Sequence, residues 1–364
     1  MEAEHLVIKR LLALLVLVAL ATGCGHPLLP RSALAMPQVA ASRSGTQTAV
    51  IGANGPALGV NLYALSNYSA ARVKADGMRT LSYIRNVLHA GAVDIVWNFY
   101  ASSPDANTVD ATSASLSAVN VAILTGIAKQ DHLLVDYRPL IMIKGDHPWE
   151  GYISPADPAL WFSNYYDEEL PYLRMAQKYR INEFVAATEM RALNSSPYWP
   201  MFFTRIGAVY HGVISYAAHQ SDYFPSGTQL LRLDYIGVDM YASLNLPSSA
   251  SSAQVTAAYE SSFSHVPASV LRRTAIDETG IQARVGAYQE PSYLYVPGTL
   301  DEAVQANWFI AACDTVKKYD MRAVFFWKVD LTDYPVTHPA SSLSTFEGKE
   351  GARAISRCAS ILGG

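Results

Sequence analysis

Charge and cysteine are scarce in this sequence. Only 16% of its 364 residues are Asp, Glu, Lys or Arg, and the formal net charge is −4. With no basic stripe to follow a phosphate backbone, nucleic acid is not expected as a partner. The nine histidines are scattered, the three cysteines lie far apart, and neither HExxH nor CxxC occurs, so no metal centre is indicated. GxSxG, the commonest serine hydrolase signature, is also missing. The glycine cluster GANG at 52–55 lacks both the strand-to-helix setting and the Lys-Ser/Thr of a phosphate loop. No cofactor is expected. No repeat of short fixed period is present, which argues against a solenoid or a propeller.

The chain opens with a charged stretch, MEAEHLVIKR, followed by the apolar run LLALLVLVALA and then Thr22-Gly23-Cys24. The run is short for a bilayer span of about 20 residues, and small residues follow it directly, which is the layout of a cleaved secretory signal. Ala21-Thr22-Gly23-Cys24 resembles the lipobox of bacterial lipoproteins, in which the cysteine becomes the lipidated first residue. Residues 1–24 are thus expected to export the chain and anchor it to the cell envelope through a lipid on Cys24, with no protein partner required. Residues 25–55 are rich in Pro, Ser, Ala and Gly without sustained apolar periodicity, and are expected to be a flexible tether. Beyond the lipobox only Cys313 and Cys358 remain. An oxidising compartment permits a bridge between them, but two buried free thiols fit the sequence equally well.

Residues 56–364 carry short β-branched or aromatic runs alternating with longer helical patterns, the signature of repeated βα units. Strands are predicted at 58–63, 92–100, 138–144, 183–188, 212–216, 235–240, 274–277 and 323–327. Runs such as AVDIVWNFY and RAVFFW are nearly continuously apolar, as parallel strands covered on both faces should be. These eight strands are the number that closes a (β/α)8 TIM barrel, and one barrel accounts for the length as a single catalytic domain.

Active sites of such barrels lie at the C-terminal ends of the strands. Two glutamates emerge there. Glu189 directly follows EFVAAT in the fourth strand, and Glu278 follows TAID in the seventh. Hydrolysis of a glycosidic bond needs such a pair, one carboxylic acid for the leaving oxygen and one carboxylate as nucleophile or base. The 22 tyrosines and 6 tryptophans are in keeping with a sugar ligand, although most of them are expected to be packing residues. Asn61 and Tyr63 in the first strand are candidates to line the subsite next to the scissile bond, and Trp97, Lys144 and Trp149 are further candidates to contact the sugar. Tyr241 is placed to hydrogen-bond Glu278. Asp239 is either a sugar ligand or the partner of an Arg or Lys, and Asp277 should face away from Glu278 if the strand stays extended.

The segments GVNLYAL, IMIKGDHPWEGYISP, ALWFSNYYDEELPYLRMAQKYRINEFVAATEM, DYIGVDMYASL, AIDETGI and AVFFWKVD together resemble the clan A glycoside hydrolases, most of all glycoside hydrolase family 113. The resemblance implies Glu189 as general acid/base, Glu278 as nucleophile, and Trp327 as the aromatic floor under the reacting sugar. It also implies a β-1,4-linked polysaccharide substrate, with mannan the first choice and other β-glycans the second, cleaved with retention. Thr188 stands where many clan members carry Asn, and Lys144-Gly145-Asp146-His147 stands where relatives often read Lys-Pro-His. These two departures leave a different expectation open, a barrel lipoprotein that binds envelope glycan without cleaving it.

Overall fold

The computed structural model describes residues 49–145, 149–226, 233–332, 334 and 342–363. The expected signal peptide, Cys24, most of the expected tether and His147 lie outside the described residues. Eight parallel strands pair in sequence order and close into a barrel. They are β1 (Ala57–Tyr63), β2 (Ala92–Ala101), β3 (Leu134–Ile143), β4 (Glu183–Thr188), β5 (Val213–His219), β6 (Ile236–Asp239), β7 (Thr274–Thr279) and β8 (Ala323–Asp330). The surrounding helices are α1 (Ala70–Asn86), α2 (Ala118–Gln130), α3 (Pro158–Tyr179), α4 (Trp199–Gly207), α5 (Gln220–Ser226), α6 (Ser252–Phe263), α7 (Ala268–Leu271), α8 (Glu302–Tyr319) and α9 (Glu350–Gly363).

Helix starts are written locally. The side chains of Ser69, Ser117, Asp157 and Ser251 accept from the amides of Arg72, Asn120, Leu160 and Gln254, and Gln254 returns a bond to complete a capping box. Each such cap stabilises its helix by about 1 kcal/mol. Strand β3 starts at Leu134, ahead of the predicted residue 138. The reason is Asp136, a charge that interrupts the apolar run yet lies buried in the barrel.

Alternation along the strands sends one set of side chains outward to the helices and the other into the barrel. The interior is apolar at its floor, where Ala92, Ala275, Ala323 and Phe325 cluster with Ile51. Ile51 corrects the expected tether, whose last residues belong to the fold. Ile51 is buried, its carbonyl accepts from Arg322 at 3.0 Å, and the carbonyl of Ala49 accepts from Asn182 at 2.6 Å. An apolar side chain that closes the open end of a barrel gains burial that a solvated tether would not.

Cys313 on α8 and Cys358 on α9 form a disulfide, with Cα atoms 5.7 Å apart and 45 residues between them in the chain. It ties the C-terminal helix to the helix before β8, and closing a loop of that length stabilises by about 2–4 kcal/mol. Cys358→Ser, or reduction of the native protein, is therefore expected to lower the thermal midpoint by several degrees in melts followed by circular dichroism. An unchanged midpoint would mean that packing of α9 alone holds the terminus.

Candidate active site

Above the apolar floor the barrel interior is polar, and one side chain organises it. Arg138, fully buried on β3, donates from Nε to Thr188 (3.2 Å), from Nη1 to the carbonyl of Asp277 (2.9 Å) and from Nη2 to Asp239 (2.6 Å). Nη2 also lies 3.3 Å from Glu278 Oε2, and Nη1 lies 3.9 Å from Asp94. Asn61 adds hydrogen bonds to Asp94 (2.9 Å) and to the Asp277 carbonyl (3.2 Å).

Glu278 rises from this layer into the mouth, its side chain 14% exposed. A register shift in the β6–β7 pairing puts Val238 opposite Ile276 but Asp239 opposite Glu278, so Asp277 is bulged. The bulge overturns the expectation that Asp277 faces away. Its carboxyl also points inward, where a Cβ on residue 237 would fall 1.7 Å from Oδ2, so β6 needs Gly237 there. On the mouth side the Tyr241 hydroxyl donates to Glu278 Oε1 at 2.6 Å, while the Tyr241 amide donates to the side chain of Gln220. Burial pushes Glu278 up to about 8, and the charge of Asp239 adds to the rise; Arg138 and Tyr241 pull it back.

Glu189 leaves β4 in the left-handed region, with φ of 48°, and its amide donates to the Ala217 carbonyl on β5 at 2.8 Å. That conformation costs a side-chain-bearing residue roughly 1–2 kcal/mol, and it turns the chain sharply at the strand end. The Trp149 indole donates to Glu189 Oε2 at 2.5 Å. Trp149 is held by Tyr152 and His219, with ring centroids 5.2 Å away in each case, and by the Arg191 guanidinium 5.7 Å from its centroid. A Cβ at Gly151 would approach this indole to 2.5 Å, so glycine makes room for it. Glu189 is held well above the usual carboxylate range, first by burial and then by the charges of Asp239, Glu150 and Glu278, against the pull of the Trp149 hydrogen bond. Among the described residues no cation partners Glu189 in the way that Arg138 partners Glu278.

The aromatic wall is built by Tyr63 and Trp327, with ring centroids 5.4 Å apart, packed with Val96 and Leu140. Asn98 donates to the Tyr63 hydroxyl at 2.6 Å, and the Lys328 ammonium lies 4.2 Å from the Tyr63 ring centroid. Four of the residues expected to touch sugar are placed elsewhere. Trp97 is on the outer face of β2, fully buried and stacked on Tyr172 at 4.4 Å between barrel and helices. Asn61 and Asp239 are sealed beneath the mouth, and serve Asp94 and Arg138 rather than a ligand. Lys144 is exposed just past β3, outside the contacts described above. The Thr188 hydroxyl oxygen accepts from Arg138.

Two residues of the site were not anticipated. Arg138 was signalled by the charges of VDYRPL inside an apolar strand. Glu150 sits beside Trp149 in the short turn Glu150–Tyr152, buried and near enough to Glu278 and Arg138 for their charges to act on it. Among the described residues no group of His, Cys, Asp and Glu could hold a metal ion.

Carboxyls on β4 and β7, one served by a cation and one not, above an aromatic wall in a parallel barrel, are the equipment for glycosidic bond cleavage and define a glycoside hydrolase. The comparisons agree. Residues 85–346 match Glycoside Hydrolase Family 113, and the chain belongs to that family. Among solved structures, a GH113 β-1,4-mannanase in a complex is 17% identical, with 84% of this chain and 98% of that chain covered and a TM-score of 0.69. The GH113 β-mannanase AaManA from Alicyclobacillus acidocaldarius is 18% identical, with 84% and 98% covered and a TM-score of 0.68. GH5_18 from Streptomyces cattleya, in complex with GlcNAc, is 13% identical, with 84% and 80% covered and a TM-score of 0.53. At these identities the likeness is one of fold. No curated protein matches the chain.

The buried acids have a consequence for stability. Burial pushes Glu150 up to about 8 and Asp94 up to about 7, whereas in the unfolded chain both titrate near 4. Between these limits the folded state binds more protons than the unfolded state, so the stability these groups contribute is full below about pH 4 and is lost as the pH rises through their folded values. Thermal melts are expected to show a midpoint that falls between pH 5 and pH 8, and Glu150→Gln is expected to flatten the fall. A midpoint that climbs over this range would show that these carboxyls are ionised in the fold.

Proposed function

We propose that this family member hydrolyses internal bonds of a β-1,4-linked polysaccharide, mannan before other β-glycans, with retention at the anomeric carbon. The observation that carries this reading is the asymmetry of the two carboxyls. Burial and the charge of Asp239 raise both, but Glu278 is faced by the Arg138 guanidinium at 3.3 Å and the Tyr241 hydroxyl at 2.6 Å, which favour its anion, whereas Glu189 meets the further negative charges of Glu150 and Glu278, which favour its proton.

In the first step the Glu278 carboxylate attacks the anomeric carbon. The bond to the leaving oxygen breaks and that oxygen takes the proton from Glu189, leaving a glycosyl ester on Glu278. In the second step Glu189, now ionised, accepts a proton from water as the water oxygen attacks the same carbon, and Glu278 departs as carboxylate. Trp327 and Tyr63 supply the apolar surface on which a pyranose ring can lie. Mannan as substrate is supported by the two GH113 structures the fold resembles, both of them β-mannanases.

The same reading supports the expected location. A polysaccharide does not cross a membrane, so an enzyme that opens it works outside, where a signal peptide and a lipid on Cys24 would hold it at the envelope. Expressed in a bacterial host, the full chain is expected in the membrane fraction and Cys24→Ala in the soluble fraction. Recovery of both proteins in the soluble fraction would remove the anchor from the proposal.

The catalytic test is reducing-end release from a panel of soluble β-glycans. Glu189→Gln is expected to lower kcat by about 10²–10⁴-fold, the worth of a general acid, and Glu278→Gln by at least about 10³-fold, as for a lost nucleophile. Proton NMR of the first product should show the β-anomer. Release of the α-anomer would replace retention with inversion. Glycan binding without release in the native protein and both variants would leave a binding barrel in place of an enzyme.

A further inference from the structure

The connection from β7 to α8 leaves the strand that carries Glu278 and presents two bare aromatic rings. Tyr293 is 55% exposed and Tyr295 is 76% exposed. An exposed tyrosine on a loose loop would be unremarked surface, but this loop is tied. The carbonyl of Leu294 accepts from the Ser344 hydroxyl and the carbonyl of Val296 accepts from Gln282 at 3.0 Å, so the backbone is pinned on both sides of Tyr295. Lower down, Val285 donates to the Thr299 carbonyl at 3.0 Å and Asp301 to the Ala283 carbonyl at 2.9 Å, which closes the base of the excursion. Gln282 is itself buried and accepts from Arg284 at 2.8 Å.

The strand that leads into this connection, β7, lies next to β8, and β8 next to β1, the strands that carry Trp327 and Tyr63. Trp327 packs against Tyr63, and the Tyr295 hydroxyl is near enough to Tyr63 to act on the titration of its phenol. The connection that carries Tyr295 thus opens on the side of the mouth where the Tyr63–Trp327 wall stands. A ring whose backbone is already fixed loses little freedom when a ligand stacks on it, which is how a preorganised surface binds. The C–H face of a pyranose is a suitable partner for an aromatic face.

We propose that Tyr295 is a remote stacking platform, holding a sugar of the glycan chain at least one ring beyond the one seated on Trp327, so that the enzyme favours chains long enough to reach it. The inference rests on the glycan-hydrolase reading above and adds a length-determining residue to it.

The test uses β-1,4-mannooligosaccharides of two to six sugars with the native protein, Tyr295→Ala and Tyr295→Phe. The ratio of kcat/KM on the hexaose to that on the shortest oligosaccharide cleaved is expected to fall about three- to tenfold in Tyr295→Ala, the range of one aromatic contact. The loss should appear in KM, and Tyr295→Phe should restore the ratio because it keeps the face and removes only the hydroxyl. An unchanged ratio in Tyr295→Ala, or an equal loss at every length, would overturn the proposal. Calorimetry of the hexaose with Glu278→Gln, alone and combined with Tyr295→Ala, reads the platform without turnover. Weaker binding of the combined variant supports the platform even if the barrel cleaves nothing, and equal binding rejects it whatever the catalytic assays show.

Discussion

The guanidinium of Arg138 is the interaction on which the site depends. Burying a cation costs several kcal/mol even after the protein relaxes, and it is tolerated here because its hydrogen-bonding groups have defined acceptors: Thr188 from β4, Asp239 from β6 and the Asp277 carbonyl from β7. One side chain on β3 thereby fixes three other strands of the barrel at the height where the mouth begins. It also breaks the symmetry between two otherwise similar glutamates. Glu278 shares the charge of Arg138, while Glu189, at the far end of the same layer, is left with burial and negative neighbours. The proposed division of labour between acid and nucleophile rests on which strand carries the arginine.

The interior beneath the carboxyls obeys the same constraint. Asp94, Asp136, Glu183, Asp239, Asp277 and Glu278 are gathered around only two buried guanidinium groups, those of Arg138 and Arg322. Glu183 takes Arg322, at 2.5 Å. Six anions cannot share two cations in a medium that screens poorly, so protons make up the difference. Asp136 and Asp277 are raised well above the ordinary carboxylate range by burial and by Glu183, and Oδ1 of Asp136 and Oδ2 of Asp277 find no hydrogen-bond partner among the described residues. A proton held on either of them leaves Arg138 to Asp239 and Glu278.

How far the sequence can be followed to this arrangement depends on strand phase. The eight strands, and both glutamates at strand ends, were legible because apolar runs and the residues that terminate them are local signals. For Trp97 the phase of β2 decides against a sugar contact. Asp94 and Asn98 lie in the opposite phase of β2 and face the interior, which sends Trp97 outward. Asp277 was misplaced because a bulge adds one residue to the alternation, and only the pairing of β6 with β7 reveals it. Glu150 left no local signal, since its burial is created by the fold of the β3 loop around Trp149. Ile51 was hidden in a stretch whose composition is that of a linker.

The contact between Trp149 and Glu189 carries a further implication for the proposed cycle. An indole N–H only donates, so its bond is stronger to a carboxylate than to a carboxylic acid. In the ground state it opposes the burial and the negative neighbours that keep Glu189 protonated. As the leaving oxygen takes that proton, the carboxylate that forms meets a donor already in place at 2.5 Å, and the repulsion from Glu278 fades because Glu278 is becoming an ester. The indole therefore stabilises the transition state more than the resting acid, which is the condition for a hydrogen bond to accelerate a reaction rather than merely hold a residue still. The Tyr152, His219 and Arg191 contacts that clamp the Trp149 ring keep that donor aimed before the charge appears.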